Sequence, residues 1–365
     1  MLDISSDDYL ASPRFSGRDR AAVLWAEHVA KNTARERNDV FEEVKRYFSN
    51  AEFVELTGIC GFFAASNRFQ DSLRIPIEEQ SEVEKIKKSV RTDPNQIKAF
   101  IEKLLEYWPH EFPVPSSGAS LKAGIRTVVT GPAAAATLSA AAPRTEMVAR
   151  VQLLDPKTAQ GESARFFNAA EQLLGGVTNA VRMWAHIPHV AKLLLPFHAV
   201  IEHEGAGSIL PNSLKMMVLI RTGHLNAATY SLAHRTVAGR AAGISAEQLA
   251  ALAARDCSSS PCFSSRERAA LLWAEHVASN TAKRRDDVFE GLQHHFNDAE
   301  IVELTGICAM ANQLDRIYNA LHLPVEANSD VEALSGTIQL DPKRVKAYLE
   351  MLVTRWPTEF PIPAD

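Results

Sequence analysis

Cysteine is scarce in this chain: four occur in 365 residues, at Cys60, Cys257, Cys262 and Cys308. That is too few for a disulfide-held scaffold at this length, so packing must hold the protein together. Long apolar runs are missing too, since no uninterrupted stretch approaches the roughly 20 residues that a membrane-spanning helix needs. The opening Met1-Leu2-Asp3-Ile4-Ser5-Ser6-Asp7-Asp8 is acidic where a secretory leader is basic and then apolar. The expectation is a cytoplasmic protein with no membrane partner. Basic charge is in deficit, with 39 Lys and Arg against 44 Asp and Glu and a net charge of −5. No basic run interleaved with aromatics appears, so no nucleic-acid partner is expected. No segment shows sustained apolar alternation between turn signals, which excludes a strand-rich fold.

What is present is apolar bulk and a repeat. At 46% hydrophobic composition, 365 residues can bury one large core or two ordinary ones. Ser16-Gly17-Arg18-Asp19-Arg20-Ala21-Ala22-Val23-Leu24-Trp25-Ala26-Glu27-His28-Val29 recurs as Ser264-Ser265-Arg266-Glu267-Arg268-Ala269-Ala270-Leu271-Leu272-Trp273-Ala274-Glu275-His276-Val277, an offset of 273 − 25 = 248. The register continues without a gap through Glu55/Glu303, Cys60/Cys308, Pro76/Pro324 and Asp93/Asp341 to Phe112/Phe360. A period this long marks a duplicated domain segment, not a solenoid unit. The first copy lacks whatever corresponds to residues 119–250. The expected layout is therefore a half-unit over 1–113, a linker over 114–149 and a complete unit with a C-terminal helical extension over 150–365. Prolines, glycines and an Ala/Ser/Thr run ending at Pro143 give the linker its composition, with one or two exposed helical turns as the alternative.

The shared segment reads as helical. Ile301, Leu304, Cys308, Ala311, Leu314, Tyr318 and Leu321 stand three or four apart and so line one face of a long helix. Ser264 followed by Glu267 forms a capping-box pattern, and Asp-Pro at 93–94 and 341–342 marks helix starts. In the unrepeated part, helices are expected at about 164–174, 187–204, 211–223, 227–242 and 246–254. The predicted fold class is all-α, a helical bundle with short connections. The half-unit's apolar stripe requires cover, either from the complete unit or from another subunit, so a homo-oligomer is expected.

Two stretches carry a family resemblance. Leu153-Leu154-Asp155-Pro156, Pro211-Asn212-Ser213-Leu214-Lys215-Met216-Met217-Val218-Leu219-Ile220-Arg221 and Leu225-Asn226-Ala227-Ala228-Thr229-Tyr230-Ser231-Leu232-Ala233-His234 resemble the core of the carboxymuconolactone decarboxylase / alkylhydroperoxidase D (AhpD)-like family. Phe296-Asn297-Asp298-Ala299-Glu300-Ile301-Val302-Glu303-Leu304, followed by Asn312, Arg316, Asn319 and Leu323-Pro324, resembles the latter half of its members that carry Tyr-Glu-Trp-Ala-His-His in place of a cysteine pair. The resemblance spans about 150–325, and 10–76 matches its second half only. It implies an AhpD-like helical bundle and oligomeric assembly.

Peroxidase members of that family use Cys-x-x-Cys with a histidine four residues on, and a glutamate one helix earlier. By the resemblance, those positions fall here on Ala228, Ser231, Arg235 and Met216. Without a thiolate there is no peroxide nucleophile, and methionine cannot relay a proton. Thiol peroxidase chemistry is excluded at this position. Tyr230-Ser231-Leu232-Ala233-His234-Arg235 instead stands where the cysteine-less branch has Tyr-Glu-Trp-Ala-His-His, matching its tyrosine and first histidine.

Six of twelve histidines lie between 186 and 234, and each can act as acid or base near neutral pH. Tyr230 and His234 share a helix face, which makes them the candidate catalytic pair: an oxyanion donor and a proton carrier. The competing reading is a buried tyrosine and a structural histidine. Ser231 and Arg235 are candidate substrate-binding residues, Arg235 for a carboxylate. His198 and Glu202, four apart, are further candidates; without a third ligand at a telling spacing they read more simply as a solvated pair, and no metal or other cofactor is expected. The sequence thus supports cofactor-free, decarboxylase- or lyase-like acid–base chemistry on a small carboxylated or lactone-like molecule. The alternatives are a non-catalytic binding or assembly protein, and redox chemistry at the loop pair Cys257/Cys262.

Overall fold

A computed structural model describes residues 7–86, 93–115, 148–335 and 339–361. The architecture is all-α. Five helices form the first block: α1 (Gly17–Ala30), α2 (Asn38–Lys45), α3 (Asn50–Leu73), α4 (Gln80–Ile86) and α5 (Pro94–Glu106). The middle block holds α6 (Gly161–Leu174), α7 (Asn179–Trp184), α8 (Pro188–Glu202), α9 (Asn212–Leu225), α10 (Thr229–Ala241) and α11 (Ala246–Ala253). The last block is α12 (Ser265–Ala278), α13 (Asp286–Gln293), α14 (Asp298–Ala320), α15 (Asn328–Ser335) and α16 (Pro342–Thr354). Among the described residues the β-type pairing is one isolated bridge, Glu204 to Gln339.

Local chemistry sets the boundaries. Ser16 and Ser264 close capping boxes with Asp19 and Glu267, while Asp93 and Asp341 cap helices whose first turn holds a proline. The five helices expected in the middle block appear to within three residues as α6, α8, α9, α10 and α11. Helix α7 carries no periodic signal because its six residues are too short for one, although Thr178 caps it. The Ala/Ser/Thr run of the expected linker lies outside the described residues.

The first and last blocks meet through reciprocal bonds. Arg68 donates to Ala278 O at 3.2 Å, and Arg316 to Ala30 O at 3.3 Å; each pair lies 248 residues from the other. Arg74 donates to Lys283 O at 2.7 Å, and His322 to Arg35 O at 2.8 Å, under the same offset. Inside each block a buried indole N–H reaches a threonine hydroxyl at 3.0 Å, Trp25 to Thr57 and Trp273 to Thr305.

The middle block completes both cores. Trp25, Val29, Val44 and Phe53 share one buried cluster with Phe166, Phe167, Met183 and Trp184, so the half-unit does not close a core by itself. Arg150 stitches the two together, donating to Ala34 O and Ala320 O at 2.8 Å. A second cluster joins α9 and α11 to α12–α14, and a third joins α5, α6, α8 and α16.

Candidate functional site

Where α8, α9, α10, α14 and α15 converge they leave a cavity of about 220 Å³, and its wall includes all six residues singled out from the sequence: His198, Glu202, Tyr230, Ser231, His234 and Arg235. Helix α10 turns Tyr230 and His234 to one side, with Ser231 and Arg235 beside them. Helix α8, which carries Pro196 inside it, brings His198 and Glu202 from the opposite wall. Met216 of α9, Leu314 and Tyr318 of α14, Trp184 of α7 and Ser335 of α15 complete much of the lining. Lys215, wholly buried, anchors the adjoining loop by donating to His203 O at 2.8 Å and to Ser208 Oγ at 2.6 Å; burial pushes its ammonium down to about 8.

A carboxylate absent from the sequence-derived set organises this wall. Glu326 accepts from Tyr230 Oη at 3.0 Å, from His234 Nε2 at 2.8 Å and from the Asn179 backbone N–H at 2.5 Å. Tyr230 Oη in turn accepts from the Ala180 N–H at 3.1 Å, and Ser335 Oγ donates to His234 Nδ1 at 2.7 Å. Burial alone would raise Glu326, but the bonds from His234 and the Asn179 N–H outweigh it and hold the carboxyl below its usual range. Burial first, then the Glu326 charge, pushes Tyr230 well above the usual phenol value. The Tyr230 proton is therefore held on Glu326 instead of facing the cavity.

Arg235 lies on the wall with its guanidinium engaged inside the protein. Nη1 donates to the wholly buried Asp315 at 2.8 Å and to Leu219 O at 3.2 Å. Asp315 also accepts from Asn226 Nδ2 at 2.9 Å. Two polar atoms of lining residues, Ser231 Oγ and His198 Nε2, are buried and hydrogen-bonded to no protein atom. Burial lowers His198, leaving it a neutral imidazole at pH 7 despite the nearby Glu202. Glu27-His28 and Glu275-His276 form no dyads; each histidine instead meets a threonine and an arginine, Thr33 and Arg37 or Thr281 and Arg285.

All four cysteines are free thiols and none lines the cavity. Cys257 is wholly buried, its thiol pushed up to about 11 chiefly by that burial, and Cys262 Sγ lies 3.1 Å from Ser260 Oγ. Ala228 and Ser231 on and beside α10 offer no thiolate. Among the described residues no group of three or more His, Cys, Asp and Glu is placed to hold a metal ion.

No protein-family model matches the chain. It is 30% identical over 155 residues to the uncharacterized protein YnjA of Escherichia coli (strain K12), a stretch that spans 42% of this chain and 81% of YnjA. Among solved structures, an AhpD-core, uncharacterized peroxidase-related protein from Ralstonia eutropha JMP134 aligns at a TM-score of 0.43 and 16% identity, over 52% of this chain and 98% of its own. An uncharacterized peroxidase-related protein from Silicibacter sp. TM1040 aligns at a TM-score of 0.44 and 18% identity, over 55% of this chain and 100% of its own. With nearly a third of the residues shared across four-fifths of its relative's length, the chain belongs to the family of YnjA.

Proposed function

We propose that this chain is a cysteine-less member of the AhpD-like group and a cofactor-free acid–base enzyme acting on a small carboxylated or lactone-like substrate. The observation that carries this reading is one cavity on which His234, backed by Glu326, and the unpartnered Ser231 hydroxyl occur together. Glu326 fixes the tautomer with the proton on Nε2, so Nδ1 presents a lone pair, and the ionised carboxylate stabilises the imidazolium that forms when Nδ1 takes a proton. A positioned base of this kind contributes roughly 10²–10⁴-fold. Ser231 Oγ and His198 Nε2 supply polar contacts for a substrate oxyanion or hydroxyl. Tyr230 and Arg235 then act as positioning residues, through Glu326 and Asp315.

A panel of small carboxylates and lactones, screened by thermal shift, tests this directly. At least one should stabilise the parent and not His234→Ala, and should be turned over only by the parent. Equal stabilisation of both proteins without turnover would favour the second reading, a binding protein on this scaffold, which the internal commitment of Tyr230 and Arg235 supports.

The same proposal covers the origin of the chain: residues 1–113 as a duplicate of the last block, supported by the reciprocal bonds at one offset. It also covers assembly. Ile59, Phe62 and Phe63 leave an apolar stripe on α3, and a homo-oligomer that covers it would be disrupted by Phe62→Asp in sedimentation.

A further inference from the structure

Ser335 is the last residue of α15 and lies on the cavity wall. Its Oγ is 2.7 Å from His234 Nδ1, and the opposite nitrogen of that ring is 2.8 Å from Glu326. A hydroxyl, an imidazole and a carboxylate in hydrogen-bonded sequence are the parts that activate a serine nucleophile, and they are recognised by geometry and roles, not by fold or chain order. The carboxylate is itself fixed by Tyr230 and the Asn179 N–H, so the imidazole has one orientation to adopt. On the same wall the Ser231 hydroxyl is buried with no protein partner, as an oxyanion donor waiting for substrate would be. A serine that served only to cap the imidazole would need neither a place on the cavity wall nor a third group behind the ring.

We infer that Ser335, His234 and Glu326 form a nucleophile–base–carboxylate relay that opens small esters or lactones through an acyl-enzyme on Ser335. This deepens the proposed function and rests on the cavity being the active site. Ser335 Oγ bonds to the acyl carbon while its proton moves to His234 Nδ1. The acyl–oxygen bond then breaks, and the leaving alkoxide takes that proton from Nδ1. Water next attacks the acyl carbon, giving a proton to Nδ1 that returns to Ser335 Oγ as the serine departs. The sum is addition of water across one ester bond, with no change of oxidation state. In the first copy the counterpart of Ser335 is Lys87, so each chain carries one such relay.

The full chain treated with a fluorophosphonate, followed by intact mass and peptide mapping, decides the matter. One adduct per chain on Ser335 is expected, absent in Ser335→Ala and formed at least 100-fold more slowly in His234→Ala, a loss of about the size that removing a general base gives. Ser335→Cys provides a control that retains a nucleophile: iodoacetamide should alkylate it faster than it alkylates Ser335→Cys/His234→Ala. No adduct on Ser335, or labelling indifferent to His234, overturns the inference. If a lactone or carboxylate still stabilises the parent in a His234-dependent way under that outcome, the relay falls and the acid–base reading stands; if nothing binds, both fall.

Discussion

Helices α3 and α14 begin from the same sequence register and meet opposite fates. Ile307, Met310 and Ala311 of α14 are buried in the cluster built on α9, whereas their counterparts on α3, Ile59, Phe62 and Phe63, are 50%, 50% and 59% exposed. Both helices open on a capping box, from Ser49 and from Asn297, and the tryptophan–threonine bonds are alike in the two blocks; what differs among the described residues is that α9 lies against this face of α14 and nothing covers that face of α3. Side-chain burial here is decided by neighbours and not by the local pattern, and the same holds for function. Asp315 meets Arg235 because α10 packs there, while the position 248 residues earlier is Asn67.

That contrast can be broken most forcefully at Asp315. Asp315→Asn leaves the Arg235 guanidinium buried against a neutral partner and should cost about 3–5 kcal/mol in chemical denaturation, whereas Asn67→Ala should cost under about 0.5 kcal/mol. Met310→Ala should lose about 2–5 kcal/mol, while Phe62→Ala, half exposed in the single chain, should change the stability of the monomer, measured at a concentration too low for assembly, by less than about 1 kcal/mol. Equal losses at 310 and 62 would mean that α3 is covered within the chain after all.

Lys215 of the middle block gives a pH signature. Its folded value of about 8 lies below the usual lysine 10.5, so between those pH values the unfolded chain binds more protons and Lys215 adds stability as pH rises. The parent should gain about 3 kcal/mol relative to Lys215→Met across that window. No difference would show that the ammonium remains charged in place. The smallest effect tests likeness: Trp25→Phe and Trp273→Phe should each cost about 1–2 kcal/mol, and should match one another because each loses the same 3.0 Å bond to threonine.

Much of the fold was legible because helix signals are local. Caps, Asp-Pro starts and three-to-four spacing specify where helices run, in the first block as in the last. The candidate site was legible in part. Tyr230, Ser231, His234 and Arg235 share one helix and could be grouped by spacing, and His198 and Glu202 line the same cavity. Glu326 and Ser335 come from the last block, some 92 and 101 residues from His234, and no local pattern links them. One sequence signal did point to Glu326: a glutamate recurs at 78 and 326, at the common offset. Spacing alone makes Arg235 a candidate carboxylate contact; the structure pairs its Nη1 with Asp315, 80 residues away in the chain. Asp315, a carboxylate beside the apolar face of α14, was the sign that a buried cation had to come from elsewhere.

Titration calorimetry on the full chain, with the carboxylate or lactone that best stabilises it, tests most directly the claim that the cavity beside His234 is the functional site. The account predicts one site per chain, lost in His234→Ala and unchanged in Phe62→Ala. Two sites per chain, or binding that survives His234→Ala, would contradict it.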